Sequence, residues 1–173
     1  MKTAINFDEK TIAALLYVVS KLGKEKSEMH SVFKALYFAD KKHLANYGRM
    51  IINDKYFAMD NGPVPSLIYD GCKKSRTSGE NFGNFLKMDG HMHIRALRDP
   101  DMDELSKSDI ECLDAGIFEV KEMNYNERII NSHDDAYNGA WNHKHNSQIS
   151  IIEIARAGGA HDEMIQFLSG NFA

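Results

Sequence analysis

Two cysteines, three prolines and one tryptophan are all that the 173 residues contain of those types. Cys72 and Cys112 cannot make a disulfide framework, so reduced thiols in a cytoplasmic protein are expected. Long apolar runs are also missing. The longest, Ile12 to Val19, has eight residues, against roughly 20 for a membrane helix. It follows Asp8 and Glu9 and precedes no small-residue cleavage site, which argues against a secretory signal. No proline-rich linker, internal repeat or low-complexity tract divides the chain, and its length suits one domain over 1–173. There is no glycine-rich phosphate loop, no His-Glu-x-x-His, no Cys-x-x-Cys and no Gly-x-Ser-x-Gly, which removes several standard enzyme mechanisms. Nor is there an excess of positive charge. The net charge is −4, which opposes strong binding to nucleic acid or anionic lipid. What remains is 43% apolar and 27% charged, an ordinary globular mixture with enough chain for a real core.

The periodicity of the apolar residues is mostly helical. Ile12, Leu15, Leu16, Val19 and Leu22 form one stripe of a helix over 8–22, with Asp8 as N-cap, Phe7 and Ile12 placed as a hydrophobic staple, and Gly23 as a left-handed stop. Ser27 is placed to cap a second helix, carrying Met29, Val32, Phe33, Leu36, Tyr37 and Leu44 and ending at Gly48. Within it Tyr37, Asp40 and His43 recur every three residues, which predicts one hydrogen-bonded string on one face. Residues 49–60 read as short extended pieces. Asn61-Gly62-Pro63-Val64-Pro65 reads as a turn, with Pro65 in the first turn of a third helix that fades after Cys72. Asp89-Gly90 predicts a two-residue hairpin turn between Leu86–Met88 and His91–Ile94. Ser106 and Asp109 announce a helix over 107–123. Shorter helices follow through Ile129-Ile130 and across Tyr137–Trp141, the latter capped by Ser132. Ser150 with Glu153 starts another before Gly158-Gly159, and Met164, Ile165, Phe167 and Leu168 mark the last. The sum is α+β: a predominantly helical single domain with a small antiparallel β-sheet or hairpin in the middle of the chain.

Few side chains point to chemistry. His91 and His93 lie two apart on the predicted strand and would share a face, but zinc needs a further carboxylate or histidine. The reading taken is a solvated hairpin tip, with no metal and no cofactor. His133 beside Asp134 would suit an acid–base pair, with Asp134 or Asp40 as its partner in a hydrolase. The plainer alternative is acids in the first turn of a helix. Cys72 and Cys112 fall on apolar helix faces, where inert thiols live. The many methionines suit either the core or a plastic interface.

One string is more specific. Lys34-Ala-Leu-Tyr-Phe-Ala-Asp40 is followed by His43-Leu44, Tyr47-Gly48-Arg49, Asp54-Lys-Tyr56-Phe-Ala58, Gly62-Pro-Val-Pro65 and Leu67-Ile-Tyr69. Ser132-His133-Asp134-Asp135, with Tyr137 and Trp141, comes late. In this order the motifs resemble the signature of the Panacea domain family, the SocA-like antitoxins, also called phage-associated GepA-type proteins. The resemblance spans roughly residues 10–170. It implies an antitoxin-type binding module, not an enzyme, that neutralises a cognate protein toxin by direct contact. The toxin would be encoded by an adjacent gene, often in a prophage or mobile element. The alternative it implies is a proteolytic adaptor that delivers the toxin to the ClpXP protease through a ClpX-type unfoldase. Self-association would be a way to hide an exposed apolar patch. Tyr37, Asp40, His43, Gly48, Tyr56, Gly62, Pro63, Pro65, Tyr69, His133, Asp134 and Trp141 are then the residues of interest. A neutraliser of unlike partners needs a constant frame under a variable surface. These residues are therefore expected to lock the frame, with Tyr37, His43, Tyr56 and Tyr69 gathered around the Gly62–Pro65 turn.

Overall fold

Asp8 accepts from the Thr11 amide at 2.7 Å and caps α1 (Glu9–Leu22), as its position before the apolar stripe predicts. The structure, a computed structural model, describes residues 5–172. After α1 come β1 (Ser27–Glu28), α2 (Met29–Tyr47), β2 (Tyr56–Met59), β3 (Gly62–Pro65), α3 (Ser66–Ser78), β4 (Leu86–Asp89) and β5 (His93–Ala96). A 3₁₀ turn at Met102–Glu104 leads to α4 (Lys107–Lys121), α5 (Tyr125–Ser132), α6 (Asp135–His143), α7 (Ile151–Ala157) and α8 (Asp162–Phe172). The architecture is helix-dominated α+β, with a three-stranded antiparallel sheet ordered β1-β5-β4 and a separate β2-β3 hairpin. Among the described residues, no helix is long and apolar enough to cross a membrane.

Helix α2 is the axis of the molecule. It packs against α1, α4, α5, α7 and β3, and 14 of its 19 residues are buried. A helix covered on all sides has no solvent face for its polar residues, so each must find a partner inside. Its C-terminus is set by Gly48, whose φ of 71° permits the left-handed cap and whose amide donates to the Leu44 carbonyl. A side chain at Gly48 would also strike Met164 and Phe167 of α8.

Several local expectations give way to tertiary contacts. Gly23 is extended, not left-handed; the space a Cβ would need there is filled by the Lys26 carbonyl. Phe7 packs edge-on against Phe82 and Phe85. Ser27 caps no helix: it lies in β1, paired with Ile94, and its hydroxyl donates to the Val19 carbonyl. Residues 62–65 form a strand, although the two prolines read as a turn. Ala58 N donates to the Ser147 carbonyl and Ile149 N to the Tyr56 carbonyl, so Tyr56 and Ala58 turn their polar atoms away from β3. Their cross-strand partners are Pro65 and Pro63. Both prolines thus occupy positions whose nitrogen faces away from the ladder, where a missing donor costs no hydrogen bond.

Helix α3 runs on past Cys72 to Ser78 because Gly79 supplies a left-handed cap. At its start, Asp54 accepts from the Leu67 and Ile68 amides, both at 3.0 Å, and from the Lys55 amide and the Ser66 hydroxyl. Asp54→Ala would orphan these donors and is expected to cost about 1–3 kcal/mol in urea unfolding, with faster amide exchange confined first to the start of α3.

The sheet hairpin turns through three residues, not two. Asp89 pairs with His93, which leaves Gly90, His91 and Met92 in the turn. His91 therefore shares no strand face with His93, and no group of three or more His, Cys, Asp or Glu side chains among the described residues is arranged to hold a metal. Capping boxes at Ser106/Asp109 and Asn124/Glu127 start α4 and α5. Asp134, not Ser132, caps α6, and Ser150 makes no side-chain cap bond to α7.

Candidate functional site

Lys34, Tyr37, Asp40 and His43 are wholly buried in α2 and stand three residues apart. Three residues turn an α-helix about 60° short of a full circle, so the four side chains wind through about 180° between Lys34 and His43. They cannot bond in one string. Each instead ties α2 to a different distant segment, and no hydrogen bond joins Tyr37, Asp40 and His43 to one another.

Lys34 Nζ donates to the Pro63 carbonyl at 2.8 Å, meeting the outward edge of β3. Gly62 makes this approach possible. Its φ is 105°, and a Cβ there would fall 2.9 Å from Lys34 Nζ and 2.5 Å from Ser132 Oγ. Among the described residues no carboxylate pairs with Lys34, and burial, then the Arg128 charge, pushes its amine down to about 7.

Tyr37 donates to Asp134 Oδ2 at 2.8 Å, and Lys41 reaches the same oxygen at 3.1 Å. Asp134 also accepts from the Tyr137 amide at 3.0 Å as cap of α6. One carboxylate thus joins the middle of α2 to the start of α6. The Tyr37 ring meets Tyr56 edge-on at 5.2 Å.

Asp40 accepts from Tyr56 Oη at 2.7 Å and from the Ile51 amide at 2.6 Å. Complete burial pushes its carboxyl up to about 7 against the opposing pull of these hydrogen bonds.

His43 places Nδ1 2.9 Å from the Arg49 carbonyl and Nε2 2.9 Å from Ser108 Oγ. The carbonyl requires the proton on Nδ1, so Nε2 accepts from the serine. Burial holds the ring below the usual histidine value. Beside it, Asp109 binds Arg49 Nη1 and Lys10 Nζ, both at 2.9 Å. Burial alone would raise the Asp109 carboxyl, but hydrogen bonds from Lys10, Ser106 and Arg49 outweigh it and bring it to about 2. This cluster fastens α1, α2 and α4 together, far from the Gly62–Pro65 strand where His43 was expected.

His133 stacks on Tyr137 at 4.0 Å, Tyr137 on Trp141 at 5.8 Å, and Trp141 on His145 at 3.7 Å. The four residues stand four apart in sequence; Tyr137 and Trp141 lie in α6, with His133 just before it and His145 just after. Tyr137 donates to the Met59 carbonyl at 2.8 Å, seating the stack on β2. His133 Nε2 is buried with no hydrogen-bond partner, and neither Asp134 nor Asp40 bonds to its ring. Tyr69 packs edge-on against Phe33. Cys72 and Cys112 are buried free thiols, the former pushed up to about 12 by burial.

Asp54, Lys34 and the Lys10–Arg49–Asp109 cluster escaped the reading of isolated motifs. The regular three-residue recurrence from Lys34 was the available signal for the first link of the polar seam that Lys34, Tyr37, Asp40 and His43 form along α2. The roles of Asp54 and Asp109 in joining elements depend on chain segments far apart in sequence.

The class is therefore a helical α+β domain in which most of the distinctive polar residues join elements of the frame. A family model described as "Antitoxin SocA-like, Panacea domain" matches residues 32–142, and the chain belongs to that family. The matched stretch begins inside α2, ends inside α6, and contains all four seam residues with their partners. No curated protein and no solved structure matches the chain.

Proposed function

We propose that this protein is an antitoxin that neutralises a cognate protein toxin by direct contact, as a binding module and not as an enzyme. Membership of the SocA-like family carries the antitoxin-type role. The observation that supports the mode is the burial of Lys34, Tyr37, Asp40 and His43. With these side chains consumed by the frame, recognition falls to surface residues, where variation costs little stability. The toxin would be the product of an adjacent gene in a prophage or mobile element, and the pair would act in the cytoplasm.

The test is tagged purification of the full chain from its native cell, with mass spectrometry of what accompanies it. A single stoichiometric small protein, toxic when expressed alone and harmless when co-expressed, is the expected result. Unfoldase subunits in the eluate, with the small protein present only when proteolysis is blocked, would replace masking with delivery to a protease. A chain that purifies with no partner and protects against no neighbouring gene product would overturn the reading.

His133 separates frame from contact. Its ring is packed on Tyr137, so His133→Ala is expected to lower stability by about 1 kcal/mol through lost stacking. Partner affinity should change no more than that loss explains. Unchanged unfolding with abolished partner binding would instead make His133 a contact residue.

A further inference from the structure

A pocket of about 370 Å³ opens between the start of α2, the β2-β3 turn, α3 and the β4-β5 turn. Its wall is mostly apolar: Phe33, Val64, Tyr69 and the thioethers of Met29, Met59 and Met92. Unbranched methionine side chains adapt to different ligand shapes at little strain. The size falls within the range of small-molecule sites.

Two buried polar side chains, His30 and Lys34, line this apolar space, and neither is fully satisfied. Lys34 spends one N–H on the Pro63 carbonyl and makes no ion pair with a carboxylate among the described residues. His30, only 9% exposed, has just two long polar contacts. Its Nδ1 is 3.4 Å from Arg128 Nε, and its Nε2 is 3.4 Å from the Asn61 carbonyl. Because the guanidinium can only donate, Nδ1 accepts and Nε2 carries the proton. That proton is held by a contact near the limit of a hydrogen bond and is available to a better acceptor. Behind the neutral His30, Arg128 is a second positive group beside Lys34, itself paired with Glu28 at 2.9 Å. The carboxylate that does line the pocket, Asp60, is exposed at its rim, where solvent screens it. Buried positive charge without a counter-ion, behind an apolar wall, favours an anion attached to an apolar body.

We propose that this pocket is a binding site for a small amphipathic carboxylate, its anionic end toward His30 and Lys34 and its apolar body against Phe33, Tyr69 and the methionines. This goes beyond toxin neutralisation and stands or falls separately from it. A ligand here would touch α2, β2-β3 and α3 at once.

The probes are 4-phenylbutyrate and its uncharged counterpart 4-phenylbutanol. Each is titrated at pH 6 into the full chain labelled at its methionine methyl groups and followed by NMR. The acid is expected to shift Met29, Met59 and Met92 saturably and to leave Met164 of α8 unmoved, with the alcohol at least tenfold weaker. Lys34→Met should abolish the preference for the acid while keeping weak binding of both. Equal binding of acid and alcohol by the unaltered protein would overturn the proposal, and so would the absence of saturable shifts at the pocket methyls. Both results are read without any variant, so they stand even if Lys34→Met fails to fold. Preference for the acid that survives in a folded Lys34→Met protein would overturn the role given to the lysine.

Discussion

Asp40→Ala should unfold at much lower urea concentration than the unaltered protein, with a loss of about 2–6 kcal/mol. The carboxyl receives two buried donors, the Tyr56 hydroxyl and the Ile51 amide. Each orphaned donor in a sealed interior costs roughly 1–3 kcal/mol, and Asp40 is wholly buried. The same residue gives a pH signature. Its folded value, about 7, lies above the ordinary aspartate value of 3.8. A group raised on folding favours the folded state most when protonated, so its contribution is complete below about pH 4 and is lost as pH rises through 7. Asp40→Asn keeps the shape and removes this titration. Unfolding free energies of the unaltered protein minus those of Asp40→Asn should therefore fall between pH 4 and 8. His30, His43 and His133 are depressed by burial and act in the opposite direction, but they are present in both proteins and cancel in the difference. A difference that stays flat across this range would mean that Asp40 is ionised in the folded protein throughout.

The second large effect is expected where two helices touch without side chains between them. Gly116 of α4 lies against α2, and a Cβ there would overlap the Ala35 carbonyl and crowd the Ala39 amide. These are backbone atoms of a helix packed on every side, so neither can swing away. Gly116→Ala should cost about 3 kcal/mol, at the upper end for overpacking, and Gly116→Val more. Gly139, in the exposed part of α6, is the control. A Cβ there meets nothing within 4 Å, so Gly139→Ala should instead stabilise by about 0.4–1 kcal/mol, through helix propensity and a less flexible unfolded chain. Thermal unfolding of the two single variants would show shifts of opposite sign. Equal shifts would mean that the α2–α4 crossing relaxes far more than close-packed helices do.

Among the features that carry the site, what could be read early were those with local causes. The cap at Asp8, the capping box at Ser106 and Asp109, and the stop at Gly48 are set within a few residues of where they act. The late motif around His133 was legible as a helix start, but its cap is Asp134, whose carboxylate also answers Tyr37 from 97 positions away. The three-residue recurrence of Tyr37, Asp40 and His43 suggested mutual bonding because a helix brings such residues to neighbouring places on its surface. That inference assumed solvent on the other sides. With α2 enclosed, each residue meets a different neighbour before it meets the next in line.

By itself the sequence determined the helix-rich α+β class, most helix ends and the family signature, because caps, apolar periods and turn glycines act through nearest neighbours along the chain. Tertiary structure alone decided that α2 is the buried axis and that Ser27 and Glu28 form a third strand against β5. It also made Gly62–Pro65 a strand edge answered by Lys34, and Asp54 the cap of a helix twelve residues away. Those outcomes depend on which polar groups lose water when elements close together, and that desolvation is set by the whole packed fold and not by any short stretch of residues.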